Sequence, residues 1–198
     1  VFFLLNAAVL NTLVGKPEDN GEKIKVSLQK RVPSDLDEGS LILVNDIQDW
    51  NSNETAIIIC DMWDKHWCEG ATNRVTEMAP HLNKVVSIAR AKGALIVHAP
   101  SSTMDYYKNH PGRKLAKKYK YRSVVQKINP KGAKLECELD QDWPFEISHG
   151  GCSDTPKCKD VNKTVWTKQI DTIDILDGDA ISDSGVEVGS LFIKKGIK

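Results

Sequence analysis

The sequence predicts an α/β fold with a mostly parallel sheet, preceded by an N-terminal β-hairpin. Two continuous apolar runs, TAIIIC at 55–60 and ALIVH at 94–98, have the length and composition of strands buried on both faces. Between them, apolar residues recur with helical spacing from 75 to 89. A strand, a helix and a strand in this order form a βαβ unit, whose ligand sites lie at the carboxyl ends of the strands.

The segments before and inside this unit are predicted from local signals. An alternating segment at 24–32 and the apolar SLILVN at 40–45, joined by the turn-rich PSDLDEG, predict the hairpin. Pro80 lies inside the helical pattern, so we expect a kink there or a restart of the helix at Pro80. Lys92-Gly93 predicts the end of this helix.

Two more elements follow near the end of the sequence. The run TVWTKQI at 164–170 predicts a third strand. Ser184 and Glu187 have capping-box spacing, and Gly196 is a good helix stop, so a helix is predicted between them. Because such a helix normally returns to a strand, we expect the sequence to stop at Lys198 inside a βαβ unit.

Composition and charge limit the classes of function. The chain has 198 residues, which suggests one domain. Its 27 basic and 27 acidic residues give a formal net charge of zero, so no overall field attracts nucleic acid or an anionic membrane. We expect a small-molecule substrate and no nucleic-acid partner, and the sequence leaves a homo-oligomer open.

The first residues resemble the apolar part of a secretory signal. The segment 1–15, VFFLLNAAVLNTLVG, is shorter than the ~20 residues that span a bilayer, so we expect no stable membrane span. A clipped signal predicts a secreted or periplasmic protein, and the alternative is a buried first helix. The predicted organisation is therefore a signal remnant at 1–15, an extension with the hairpin at 16–54, and a main domain at 55–198.

The cysteines carry a prediction that depends on export. Cys152 and Cys158 are separated by five residues, including Pro156, and in an exported protein they predict a local disulfide. The alternative is two free surface thiols. Five intervening residues exceed the two to four of a zinc knuckle, so this pair does not predict a zinc site. We expect no metal and no cofactor.

Asp61 is the first candidate for chemistry because it directly follows the first apolar run. From position alone it could be a general base, a turn residue or a helix cap. The wider pattern is more specific. IIICDMWDKHWC, then NRVTEMAPHLNKVVSIARAKGALIVHAPSS, then VWTKQIDTIDILDGDAISDSGVE resemble the isochorismatase-like cysteine hydrolases, which include nicotinamidases and related amidases. The resemblance covers roughly residues 55–198.

This resemblance implies a fold and an activity. The fold is a three-layer α/β/α, Rossmann-like arrangement, here incomplete at its C-terminal end. The activity is hydrolysis of small-molecule amide or related C–N or ester bonds by a cysteine nucleophile. Asp61 would take the thiol proton, and Lys168 would favour the thiolate and hold Asp61. The family's cysteine follows the helix that ends here near Gly196, so it is expected beyond Lys198, and residues 1–198 alone are expected to be inactive.

Four further residues are candidates for the substrate pocket. Trp63, His66 and Trp67 follow Asp61 and could wall the pocket, although aromatic residues there could equally be core. His98 ends the second predicted strand. Nicotinamidases often have Gln where this chain has Trp63, and the segment 98–105 lacks their Asp-x-His metal pair. Both departures disfavour a metal and a nicotinamide substrate.

Two other functions remain open from the sequence. One is a catalytically inactive relative that serves as a binding module. The other is polyanion binding by the segment 108–127, which has eight basic residues and no acidic residue. A zero net charge favours an ordinary solvated surface for this segment.

Overall fold

The computed structural model of the protein describes residues 21–37, 39–119, 152, 154–156, 158 and 163–198. Within these ranges the chain forms five β-strands, one 3₁₀ helix and three α-helices. In chain order they are β1 Lys23–Pro33, β2 Leu41–Asn51, the 3₁₀ helix Ser52–Glu54, β3 Ala56–Cys60, α1 Glu69–Ala91, β4 Leu95–Ala99, α2 Pro111–Lys117, β5 Ala180–Ile181 and α3 Gly185–Lys195. The fold is mixed α/β, and the predicted signal segment 1–15 lies outside the described residues.

The hairpin is confirmed, and its strands are longer than the sequence predicts. β1 and β2 pair antiparallel over eleven residues each, with Lys23 opposite Asn51 and Pro33 opposite Leu41. The second strand continues through Ile47 and Trp50, whose side chains are exposed. The length of β2 is therefore set by pairing with β1 and not by burial. For this reason the apolar run SLILVN indicates only the first half of the strand.

The central sheet is parallel, as predicted, with the strand order β3-β4-β5. Ala56 lies opposite Leu95, and Val97 lies opposite Ala180. All five residues of β4 are buried, which agrees with its nearly continuous apolar sequence.

Alternate residues of β4 contribute to two separate apolar clusters. Ile96 packs with residues of β3 and α1, whereas Leu95 and Val97 pack with residues of α2 and α3. The buried members of the first cluster are Ile59, Met62, Ala79, Val86, Ile96 and Ile173. The buried members of the second are Leu95, Val97, Ala116, Ala180, Val188 and Leu191.

Helix α1 runs unbroken past Pro80 from Glu69 to Ala91, so the alternative of a restart at Pro80 is wrong. Its end agrees with the sequence: Lys92 is the C-cap, and Gly93 adopts a φ of 100°, which a glycine tolerates without strain.

None of the helices in the described ranges is long and apolar enough to cross a bilayer.

The predicted strand at 164–170 is wrong. This segment makes only an isolated antiparallel bridge between Gln169 and Trp63, and the third strand of the sheet is instead the two-residue β5. The physical reason is a contact from far along the chain: the Asp64 carboxylate accepts the backbone N–H groups of Thr167 and Lys168, which occupies donors that a ladder would need.

Helix α3 begins and ends where the sequence predicts. The Ser184 side chain accepts the N–H of Glu187, and Gly196 has a left-handed φ of 73°. The Glu187 carboxylate does not complete the capping box, because it binds Arg113 and the Ser182 hydroxyl instead.

Candidate functional site

The carboxyl ends of the three parallel strands meet around Asp61. Asp61 follows β3 with a left-handed φ of 52°, and its Oδ1 accepts the N–H of Ser101 at 2.9 Å. The next N–H, from Ser102, donates to Asp183 after β5 at 3.2 Å. The Asp61 carboxylate is exposed, and its Oδ2 has no hydrogen bond within the described ranges. An exposed, positioned carboxylate at this edge is able to exchange a proton with a bound molecule.

The backbone of Lys168 lies beside the residues that follow Asp61, but the side chains of Lys168 and Asp61 do not pair within the described residues. Residues 168–170 run beside 62–64: the Asp64 N–H donates to the Lys168 carbonyl, and the Ile170 N–H donates to the Met62 carbonyl. The Lys168 ammonium binds both carboxylate oxygens of Asp171 at 2.6 Å. That contact raises the pKa of Lys168 and keeps it cationic. In this part of the chain no hydrogen bond or ion pair joins Asp61 to Lys168, so their pairing stays a prediction.

Asp64 fixes the segment that carries Lys168. Its carboxylate accepts the Thr167 hydroxyl at 2.5 Å and the Thr167 N–H at 2.9 Å. Burial opposes ionisation of this carboxyl group, but these hydrogen bonds outweigh it, so the pKa of Asp64 lies below its usual value. Asp64 is therefore a positioning residue for the loop on this side of the site.

The three aromatic candidates gather in one cluster, together with Trp166, which no pattern in the sequence indicates. Trp63 and Trp166 stack with ring centroids 4.1 Å apart, and His66 stacks on Trp166 at 5.4 Å. Trp67 packs against His66 at 4.5 Å. The Trp63 indole N–H donates to the Ser101 carbonyl, which ties the cluster to the strand ends. The buried Trp166 N–H lacks a hydrogen-bond acceptor among the described residues, and a ligand oxygen could fill that role.

His66 makes stability depend on pH. Burial lowers the pKa of His66 below 6.5, and its Nδ1 accepts the Cys68 N–H, which requires the neutral ring. Because the folded-state pKa is the lower one, the stabilisation is complete above pH 6.5 and is lost as the pH falls. Between about pH 7.5 and about pH 5.5, the free energy of unfolding should fall less in His66→Asn than in wild type, as measured by urea unfolding. Equal losses in both proteins would contradict this assignment.

His98 lies in a buried polar network rather than at an open surface. Its Nδ1 lies 2.8 Å from Gln169 Oε1, and its Nε2 lies 3.1 Å from Asp179 Oδ2. Arg90 binds both carboxylate oxygens of Asp179, and the Tyr107 hydroxyl accepts the Gln169 N–H. His98 thus has protein partners on both ring nitrogens, and its role in a pocket stays a prediction.

The side chains of Cys152 and Cys158 lie side by side, with their sulfur atoms 2.7 Å apart. This contact lowers the pKa of Cys152 and raises that of Cys158. The disulfide remains a prediction. Cys68 and Asp154 lie next to this pair, a convergence that the spacing of the cysteines does not indicate.

The basic segment 108–127 is only partly described, up to residue 119. Within that part, Arg113 is buried and binds the Glu187 carboxylate, so it is not available to a polyanion. Lys120, Arg122 and Lys127 lie outside the described residues.

Comparison with known proteins adds no assignment to this geometry. No family model matches the chain, and no curated protein or solved structure matches it either.

Proposed function

We propose that this chain carries part of the active site of an isochorismatase-like cysteine hydrolase acting on small-molecule amide or related C–N or ester bonds. The observation that supports this most is the Asp61 carboxylate, held by the Ser101 N–H at the carboxyl end of β3 and open on its other oxygen. A general base needs this combination of fixed position and access. The aromatic cluster beside it offers a wall for a small planar substrate.

The proposal includes a three-layer α/β/α arrangement. Its support is the alternation along β4: Ile96 packs toward α1, whereas Leu95 and Val97 pack toward α2 and α3. Opposite faces of one strand thus contact different helices, as expected for a sheet covered on both sides.

The proposal places the nucleophilic cysteine on a strand that follows Lys198. The Lys198 N–H donates to the Glu54 carbonyl at 3.0 Å, on the edge of β3 away from β4. Beside this edge, Ile58 is 45% exposed and lines an open groove together with Phe192 and Ile197. A parallel strand rises about 3.3 Å per residue, so about six more residues would bring the chain level with Asp61.

The chemistry then follows from the residue types. Asp61 takes the thiol proton, the thiolate attacks the carbonyl carbon, and backbone N–H groups bind the oxyanion. Collapse releases the amine with the proton from Asp61 and leaves a thioester, which water cleaves after giving its proton to Asp61. Lys168 would favour the thiolate once its ammonium turned away from Asp171. Its side chain is 25% exposed, which leaves room for that rotation.

The test uses the full-length protein and a panel of small primary amides, with released ammonia as the readout. We expect turnover that alkylation with iodoacetamide abolishes. Asp61→Asn should lower kcat/KM at least about 100-fold, because the amide cannot accept the thiol proton. Its melting temperature should not change, since Asn tolerates the left-handed φ and still accepts the Ser101 N–H.

Asp183→Asn is the matched control, because Asp183 accepts the neighbouring Ser102 N–H in the same way and should retain activity. Turnover that survives either alkylation or Asp61→Asn would show the proposal to be wrong. So would the absence of turnover across the panel, and the binding-module alternative would then be preferred.

A further inference from the structure

Four side chains with metal-ligating atoms converge at the N-terminus of α1. They are the thiols of Cys68, Cys152 and Cys158 and the carboxylate of Asp154, and their ligand atoms all lie within 4.8 Å of one another. Cys68 and Cys152 are buried. None of these residues takes part in the site around Asp61, so the cluster needs an explanation of its own.

The distances in the cluster suit a four-coordinate ion. Zinc–sulfur bonds of about 2.3 Å in a tetrahedron separate two sulfurs by about 3.8 Å and a sulfur from an oxygen by about 3.5 Å. Asp154 Oδ2 lies 3.3 Å from the Cys68 sulfur and 3.8 Å from the Cys158 sulfur. The sulfurs of Cys152 and Cys158, at 2.7 Å, would have to separate by about one ångström.

We propose that Cys68, Cys152, Asp154 and Cys158 bind a divalent metal ion of the zinc class in a closed, structural site. Four protein ligands leave no position for water or substrate, which is typical of structural zinc rather than catalytic zinc. Three thiolates and one carboxylate carry the same charge as a four-cysteine site. The N-terminal end of α1 and the nearby Arg74 offset part of the negative charge that remains.

Backbone groups orient two of the four ligands. The Gly70 N–H donates to Asp154 Oδ2 at 2.8 Å, and the Cys68 N–H donates to His66 Nδ1 at 3.1 Å. A Cβ atom on Gly70 would lie 1.9 Å from Asp154 Oδ1, so only glycine allows this approach. Such outer contacts commonly fix the geometry of metal ligands.

The proposal departs from the sequence expectation of no metal and competes with the predicted disulfide. A bond between Cys152 and Cys158 would use two of the four groups and would not involve Cys68 or Asp154. A metal ion would use all four and join the segment around Cys158 to the first turn of α1.

Cobalt titration of the full chain, reduced and stripped of metal, tests the site. We expect one Co²⁺ per chain, with sulfur-to-cobalt charge-transfer absorption and the strong visible bands of a tetrahedral site, and displacement by Zn²⁺. Cys158→Ser should weaken binding at least about 100-fold, and Asp154→Asn about 10- to 100-fold. Cys60→Ser is the matched control, because Cys60 is a free thiol at the end of β3 outside the cluster, and it should bind as wild type does.

Gly70→Ala keeps all four ligands while it displaces Asp154, so it tests the geometry if a ligand variant fails to fold. We expect binding about 10-fold weaker. The proposal is wrong if the reduced chain shows no charge-transfer band, or if Cys60→Ser weakens binding as much as Cys158→Ser. It is also wrong if Cys152 and Cys158 remain disulfide-bonded under conditions that reduce exposed disulfides.

Discussion

Replacing Asp179 by Ala is expected to lower the free energy of unfolding by about 3–5 kcal/mol, the range for breaking a buried ion pair by removing one partner. The Asp179 side chain is 3% exposed and binds three groups at once, which are the Arg90 guanidinium, His98 Nε2 and the Leu176 N–H. It accepts two bonds from the Arg90 guanidinium, at 3.0 and 2.8 Å, and lies 3.1 Å from His98 Nε2. The variant removes the carboxylate from the Arg90 guanidinium, from His98 Nε2 and from the Leu176 N–H, and urea unfolding at pH 7 measures the loss.

Asp174→Ala is the control for this prediction. Asp174 also faces α1, where its carboxylate accepts a hydrogen bond from the Asn83 amide, but Asp174 is exposed. Its replacement should lower the free energy of unfolding by less than about 1 kcal/mol. Similar losses in the two variants would contradict the special role of Asp179.

The pH dependence of the Asp179 variant gives a second check. Burial opposes ionisation of Asp179, but hydrogen bonds from His98 and Arg90 outweigh it and hold its pKa below 3.8. The stabilisation is therefore present above pH 3.8 and is lost as the pH falls through the folded-state pKa. The difference in the free energy of unfolding between wild type and Asp179→Ala should therefore become smaller in acid.

Leu191→Ala is expected to destabilise the protein by about 2–5 kcal/mol, the range for removing a large side chain from a packed core. Leu191 is fully buried on the inner face of α3, where it packs with Leu95 and Val97 of β4. Truncation removes apolar contacts on this side of the sheet and leaves a cavity. Thermal or urea unfolding measures the effect.

Ile193→Ala on the same helix is the matched control, since Ile193 is 48% exposed and should cost less than about 1 kcal/mol. The comparison holds the helix constant and varies only the depth of burial. A loss in Leu191→Ala as small as in the control would mean that α3 does not pack as described.

The sequence predicted the elements whose signals are local. TAIIIC and ALIVH became β3 and β4 because buried parallel strands read as unbroken apolar runs. Ser184 and Gly196 marked α3 because cap residues act on their own helix. The two-residue β5 was missed, since two residues carry no periodicity, and the start of α1 at Glu69 was missed because its first turn is held by Asp154, far along the chain.

The candidate site was predicted only where its residues are close in sequence. Trp63, His66 and Trp67 come from one short block, and they do cluster. Trp166 joins them across about a hundred residues, and Cys68 lies 84 residues before Cys152. Asp171, which binds Lys168, is only three residues further along the chain. Nothing in the sequence pattern distinguishes it from other surface acids, so the ion pair was not predicted.

Both ends of α1 are tied to segments far along the chain. The Gly70 N–H binds a residue 84 positions away, and Arg90 binds one 89 positions away. Closing a loop of that length carries a chain-entropy cost of roughly 4 kcal/mol from its length dependence alone. The two loops overlap, so neither contact can form early from local structure. Both ends of this helix therefore depend on non-local contacts, and because such contacts slow folding, its docking is expected to be a slow step.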